Sequence, residues 1–284
     1  MATNRRNFMR SSALAAIGLS LPWDRQLFLL EDGKPWRTYG IQLWTVKEDM
    51  AKDAKGTLAS LAAYGYKQIE SFEGAAGIYW GWKNTEFKKY MDDLGMQLVS
   101  SHCNHLADFE RKAAQAAEIG VKYLICPYKG PQKSIDAFKR FCDEFNKAGE
   151  ICKKNGIRFA YHNHDYSFKP MEGQVPQDIL MQGTDKSLVD FEMDIYWVAV
   201  AKSDPIAWFK KYPDRFRLCH IKDLSVTPKG EESCVLGKGN IDFASILKTG
   251  LKYGLQTFIV EQESYTGTTP MDSSKSNAGY MAKL

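Results

Sequence analysis

Charge of one sign is scarce in this chain. Across 284 residues, 38 Lys and Arg face 34 Asp and Glu, and three positive charges of the net +4 sit at Arg5, Arg6 and Arg10. A balance this even lacks the clustered basic face of a nucleic-acid binder, so no nucleic-acid partner is expected. Long hydrophobic runs are missing too. The longest apolar run, near the N-terminus, is too short to span a bilayer, and no membrane partner is expected. The six cysteines (Cys103, Cys126, Cys142, Cys152, Cys219 and Cys234) form no C-x-x-C pair and no zinc-ribbon spacing. Cys103, Cys126 and Cys219 fall in apolar, strand-like runs that suit buried free thiols, and all six read as structural. No Gly-rich phosphate loop opens a helix. What is present is an ordinary globular composition, 44% hydrophobic and 25% charged, in a chain long enough to bury a large core.

The segment NRRNFMR (4–10), followed by SSALAAIGLSLPW (11–23), resembles a twin-arginine export signal through Arg5, Arg6, Phe8 and Arg10. Asn4 stands where Ser or Thr is more usual, and no clear A-x-A cleavage site follows; a plain basic tail is the other reading. The resemblance implies an export signal and linker over residues 1–37, ahead of a single domain over 38–284, and a periplasmic location. That route carries folded proteins, often with a cofactor already inserted, which suits a metalloprotein.

From Tyr39 onward, short apolar runs alternate with longer amphipathic ones. Strands are expected at 39–46, 66–72, 97–104, 122–129, 157–164, 187–197, 216–223 and 256–263. Between them, segments such as TEFKKYMDDLG and LADFERKAAQAAEIG space apolar residues three and four apart and close on glycine. Gly65, Gly95, Gly120, Gly156, Gly183 and Gly254 occupy such helix ends, where a left-handed residue is wanted. Eight strand–helix units without an internal linker predict one α/β domain, a closed (β/α)₈ TIM barrel.

In such a barrel residues i and i+2 share a side, and active sites form at the C-terminal strand ends. The later strands end in polar pairs of one parity: His162 and His164, Glu192 and Asp194, His220 and Lys222, Glu261 and Glu263. Earlier strands add Gln42, Trp44, Glu70, His102 and Asn104. Each residue alone has an ordinary explanation as a cap or rim group. Together they would be costly to bury unpaired, and a shared divalent cation resolves that cost.

The runs FEMDIYWV, HIKD, GKGNIDF and FIVEQE, with IQLWTV near the start and YMAKL at the end, resemble the xylose-isomerase-like TIM-barrel superfamily of sugar isomerases and epimerases. The resemblance implies one divalent metal, Mn, Zn, Co or Fe, held by His162, Asp194, His220 and Glu261. Much of the superfamily has Glu where His162 stands, in E-N-H rather than H-N-H, which leaves His164 as an alternative ligand. It implies a small carbohydrate as substrate and proton abstraction α to a carbonyl through an enediolate. Glu261, His164, Lys222 and Glu192 are the catalytic candidates, and His102, Trp197, Glu70 and Trp82 the substrate-binding ones. Isomerisation or epimerisation is the first outcome expected, with lyase or hydratase chemistry on 3-keto sugars or glycosides as the alternative. A non-catalytic exported sugar-binding protein is the rival from another class. GKG (237–239) offers thin support for a phosphate site, and the aromatic loop IYWGW (78–82) suggests a sugar-stacking wall. Oligomeric state is left open.

Overall fold

Residues 35–284, apart from Lys229, are described in a computed structural model; the leader-like segment ahead of Pro35 lies outside them. Eight parallel strands close on themselves in the order β1-β10-β7-β6-β5-β4-β3-β2. They are β1 (Gly40–Gln42), β2 (Gln68–Phe72), β3 (Gln97–His102), β4 (Tyr123–Cys126), β5 (Arg158–His162), β6 (Val189–Asp194), β7 (Phe216–Ile221) and β10 (Thr257–Val260). The TIM barrel expected from the alternation is the fold observed. Helices between the strands cover its outside, among them Ala54–Tyr64, Asn84–Asp93, Phe109–Glu118, Ile135–Lys154, Phe243–Lys252 and Pro270–Met281. Gly65, Gly95, Gly120, Gly156 and Gly254 take positive φ at or just after helix ends, as helix termination by a left-handed residue requires.

Gly183 departs from that pattern. It is the last residue of the helix Pro176–Gly183, capped by an extended Thr184. A Cβ at Gly183 would meet Cys142 Sγ at 2.5 Å, so close helix packing, not a turn, accounts for this glycine. A second departure is an antiparallel hairpin, β8 (Asp223–Thr227) with β9 (Gly230–Cys234), inserted after β7. The GKGN segment follows this hairpin and wraps around Asp223. The Asp223 carboxylate accepts from the backbone N–H groups of Leu224, Gly237, Gly239 and Ile241 at 2.8–3.3 Å. The loop's amides are therefore engaged by the chain's own carboxylate.

Outward-facing side chains of the sheet join the helices in one continuous apolar core that includes Phe138, Phe145, Phe159, Phe191 and Phe258. Inside the barrel, Tyr123, Ile125, Ala160 and Leu218 make a small separate apolar cluster. Polar groups fill the end of the barrel beyond it.

Candidate active site

His162 closes β5, Asp194 closes β6, His220 lies on β7, and Glu261 follows β10. One nitrogen or oxygen from each falls within 4.8 Å of the others, and all four residues are buried. His162 Nδ1 faces the Pro127 carbonyl at 3.1 Å, while Nε2 faces Asp194 Oδ2 at 3.3 Å. A carbonyl only accepts, so Nδ1 carries the hydrogen and the Nε2 lone pair is turned to a carboxylate oxygen. Such a contact calls for a proton or a cation between the two atoms. His164 lies outside this group, against Trp197 and Tyr166. Asn163, between the histidines, clasps Asp194 through both backbone groups at 3.2 Å. The H-N-H run thus places one ring in this four-residue cluster, fixes the next strand end, and sends the other ring to the mouth.

His220 joins this group to a second one. Its Nδ1 meets Glu261 Oε2 at 3.0 Å and its Nε2 meets Glu70 Oε1 at 2.7 Å. The second group comprises Glu70, His102, Glu192 and His220. His102 Nε2 lies 2.8 Å from Glu192 Oε2 and 3.2 Å from Glu70 Oε1. Gln42 and Ser100 donate to the two oxygens of Glu70. Burial opposes a charged His220, but Glu192, Glu261 and Glu70 outweigh it and hold its pKa well above the ordinary value. Glu192 therefore serves His102 and His220; its other oxygen, Oε1, is buried without a hydrogen-bond partner. An imidazole donating to a carboxylate through one nitrogen and facing a ligand group with the other is the usual arrangement behind a metal-binding histidine.

Lys222, fully buried, sets its ammonium 2.8 Å from both Asp194 Oδ2 and Glu261 Oε2 and 3.3 Å from Glu263 Oε1. Burial alone would lower its pKa, yet Asp194, Glu261 and Glu263 raise it well above the ordinary lysine value. It is a locked cation, unsuited to Schiff-base chemistry. Of the three carboxylates it joins, the two that follow β10 diverge. Burial raises the pKa of Glu261, but Lys222 and His220 prevail and keep it ionised. Burial and the charges of Glu261 and Asp194 raise Glu263 despite Lys222. Two imidazoles with two carboxylates suit a divalent transition metal; the oxygens that face the imidazoles, Asp194 Oδ2 and Glu261 Oε2, are also the ones Lys222 contacts. The donor set fits the expected cation.

A cavity of about 600 Å³ opens above these groups, lined by His102, His162, His164, Glu261 and Glu263 together with residues of the loops after β1 to β4. Among the substrate-binding candidates, only His102 lines it. Glu70 is buried beneath, and Trp197 packs against His164 and Tyr196. Trp82 packs on Phe87 and Tyr90, and Trp80 on Phe72. The IYWGW loop therefore serves packing rather than a wall of the cavity. Sequence reasoning missed the Leu106, Tyr128 and Lys129 side of the mouth, because loop residues without strand parity carried no signal.

A family model for the xylose isomerase-like TIM barrel matches residues 58–284. The chain belongs to that family. A sugar phosphate isomerase/epimerase from Parabacteroides distasonis is 30% identical, superposes with a TM-score of 0.75, and matches over 87% of this chain and 98% of its own. An inosose dehydratase from Bacillus licheniformis is 28% identical over 183 residues, 57% of this chain and 59% of that protein. Across the curated inosose dehydratases compared, the chain spans 38% to 59% of their length. A zinc-bound IOLI protein shares the fold, with 15% identity, a TM-score of 0.69, and coverage of 87% of this chain and 98% of that one. A sugar-modifying barrel enzyme fits these family relationships.

Proposed function

We propose that the protein is a divalent-metal-dependent lyase of the dehydratase type, acting on an uncharged keto-sugar or cyclic keto-polyol. The observation that carries this reading is the carboxylate pair after β10. Glu261 and Glu263 line one cavity and are bridged by the Lys222 ammonium. Two carboxyl groups whose environments push their pKa values apart supply a base and an acid. Glu261, ionised between His220 and Lys222, takes the proton from the carbon next to the carbonyl. The electrons of that C–H bond form the enediolate. They then form a carbon–carbon double bond as the C–O bond at the β carbon breaks, and the departing oxygen takes its proton from Glu263. Proton exchange with solvent restores both acids. A divalent cation held by His162, Asp194, His220 and Glu261 would polarise the carbonyl and take up charge developing on its oxygen.

Similarity to enzymes named for dehydrating an inosose supports elimination. The uncharged substrate follows from the cavity's cations. Lys129 is bound to Glu144 at 2.6 Å, no Arg is among the lining residues, and Asp223 fills the GKGN amides. A phosphate would find no uncommitted Lys or Arg among these lining residues. Such a substrate also suits a protein acting outside the cytoplasm, the location suggested by the leader-like N-terminus.

Epimerisation is the second reading, favoured by one observation. His164 is a cavity residue whose Nδ1 is buried without a hydrogen-bond partner, so its neutral ring could hold a water that returns a proton from another side. Glu261→Gln and Glu263→Gln separate the two readings in deuterated water with a Mn²⁺-loaded protein. Elimination predicts that Glu261→Gln loses α-proton exchange, whereas Glu263→Gln keeps exchange and forms the enone product about 10²–10⁴-fold more slowly. An epimer without enone overturns elimination. A wild type that binds no Mn²⁺ or Zn²⁺ overturns the metal-dependent chemistry and leaves the sugar-binding protein.

A further inference from the structure

Four large hydrophobic side chains stand exposed among the described residues: Trp44 (41%), Leu106 (67%), Tyr128 (55%) and Val226 (68%). Three of the four, Trp44, Leu106 and Tyr128, line the same cavity. They come from the loops after β1, β3 and β4, at the mouth above the polar floor. Single exposed apolar residues need no explanation, but three gathered on one mouth do.

The framework around all three is fixed. Trp44 meets Phe72 edge-on at 5.0 Å, and the Lys47 ammonium lies 3.7 Å from its ring centroid. The Leu106 N–H donates to Asn104 Oδ1, while the Asn104 carbonyl accepts from the Lys112 ammonium. Tyr128 rests against His164 at 4.9 Å, and the next two N–H groups, of Lys129 and Gly130, donate to the Tyr166 hydroxyl. An apolar mouth held this way is preorganised for a ligand.

We infer that this mouth is a subsite for an aromatic or similarly apolar group attached to the leaving oxygen, so that the preferred substrate is a keto-sugar glycoside with an apolar aglycone. The inference rests on the lyase reading. A polar floor beneath an apolar mouth takes a molecule polar at one end and apolar at the other. A cavity of about 600 Å³ lies within the range that encloses drug-sized ligands, with room beyond one sugar ring. The carboxylate side of the cavity is also tied to the apolar mouth. The Gln262 N–H donates to Thr45 Oγ1 at 3.2 Å and the Tyr265 hydroxyl to the Thr45 carbonyl at 2.6 Å. Those bonds tie the segment bearing Glu263, which lines the same cavity, to the Trp44 loop.

Calorimetric titration of the full-length, Mn²⁺-loaded protein with phenyl and methyl β-glucosides, which are unoxidised and unreactive, tests the mouth at constant sugar. The phenyl glucoside should bind roughly tenfold tighter, and a Leu106→Ser/Tyr128→Ser double variant should bring the ratio toward one. Both positions are exposed, so the fold should tolerate the changes. Equal affinities, or no binding of either at millimolar concentration, overturn the subsite. So does a concentration-dependent dimer that Leu106→Ser dissociates, because the mouth would then be a contact between copies. α-Proton exchange of methyl 3-ketoglucoside reports separately on the chemistry. Exchange without phenyl preference removes the subsite alone, and preference without exchange removes the lyase reading alone.

Discussion

The two faces of the barrel sheet follow opposite rules. On the outside, Phe159, Phe191 and Phe258 belong to one continuous apolar core shared with the helices. On the inside, Ala160 and Leu218 belong to a four-residue apolar cluster, and two residues further along the same strands come His162 and His220, both buried. The outer face can be filled with any well-packed apolar set, and its burial supplies most of the fold's stability. The inner face holds carboxylates, imidazoles and an ammonium in mutual contact, an arrangement that gains little over apolar packing. The difference separates what the fold needs from what the chemistry needs.

Breaking the inner face should have the largest effect. Asp194→Ala removes a candidate ligand oxygen, takes away one of the three carboxylates around Lys222 and leaves His162 Nε2 without its partner. Activity should fall about 10³-fold or more, with metal lost in elemental analysis of the purified variant. Chemical denaturation should show about 3–5 kcal/mol of lost stability, because one member of a buried ionic set is gone. Full metal content in this variant would show that the inner face is not a cation site.

Breaking the outer face should separate stability from function. Phe159→Ala opens a cavity between β5 and the helix Ile135–Lys154, where Phe145 packs against it at 5.5 Å. It should cost about 3–5 kcal/mol by denaturation, with metal bound per folded chain unchanged. A smaller effect is expected where the inner face is only trimmed. Glu192→Gln removes the charge between His102 and His220 but keeps the shape. Metal affinity should weaken about 10–100-fold, read by competition with a chelating dye, and the fold should persist.

How much of this was legible in the sequence follows from the same contrast. The outer face writes itself as apolar periodicity, so all eight barrel strands were found, together with the glycine stops at Gly65, Gly95, Gly120 and Gly156. The convergence of His162, Asp194, His220 and Glu261 was legible because strand parity forces i, i+2 residues inward: His220 and Lys222 could not point to opposite sides of the sheet. The hairpin Asp223–Cys234 was not legible, since its two strands form a sheet only with each other and carry no barrel-facing alternation. Trp82 and the IYWGW loop show the reverse failure. Aromatic content marks a surface that wants burial, but the sequence does not say whether a sugar or Phe87 will bury it. The Leu106 and Tyr128 mouth was missed because exposure, the property that distinguishes it, exists only in three dimensions.

The smallest expected effect tests how dry the mouth is where the two rules meet. Burial, reinforced by His162 and only partly opposed by Asp194, lowers the pKa of His164 to about 2. Its unfolded counterpart takes up a proton near 6.5. The depressed pKa therefore costs nothing above pH 6.5. As pH falls below that value the unfolded chain gains a proton that the folded chain refuses, and stability declines toward the folded pKa. The His164 ring resonance should stay at its neutral position from pH 8 down to pH 4. His164→Asn should reduce the acid-side loss of stability by about 3 kcal/mol at pH 4.5. A resonance titrating near pH 6 would mean that water reaches the ring, and the apolar mouth would then give no dry enclosure to the groups beneath it.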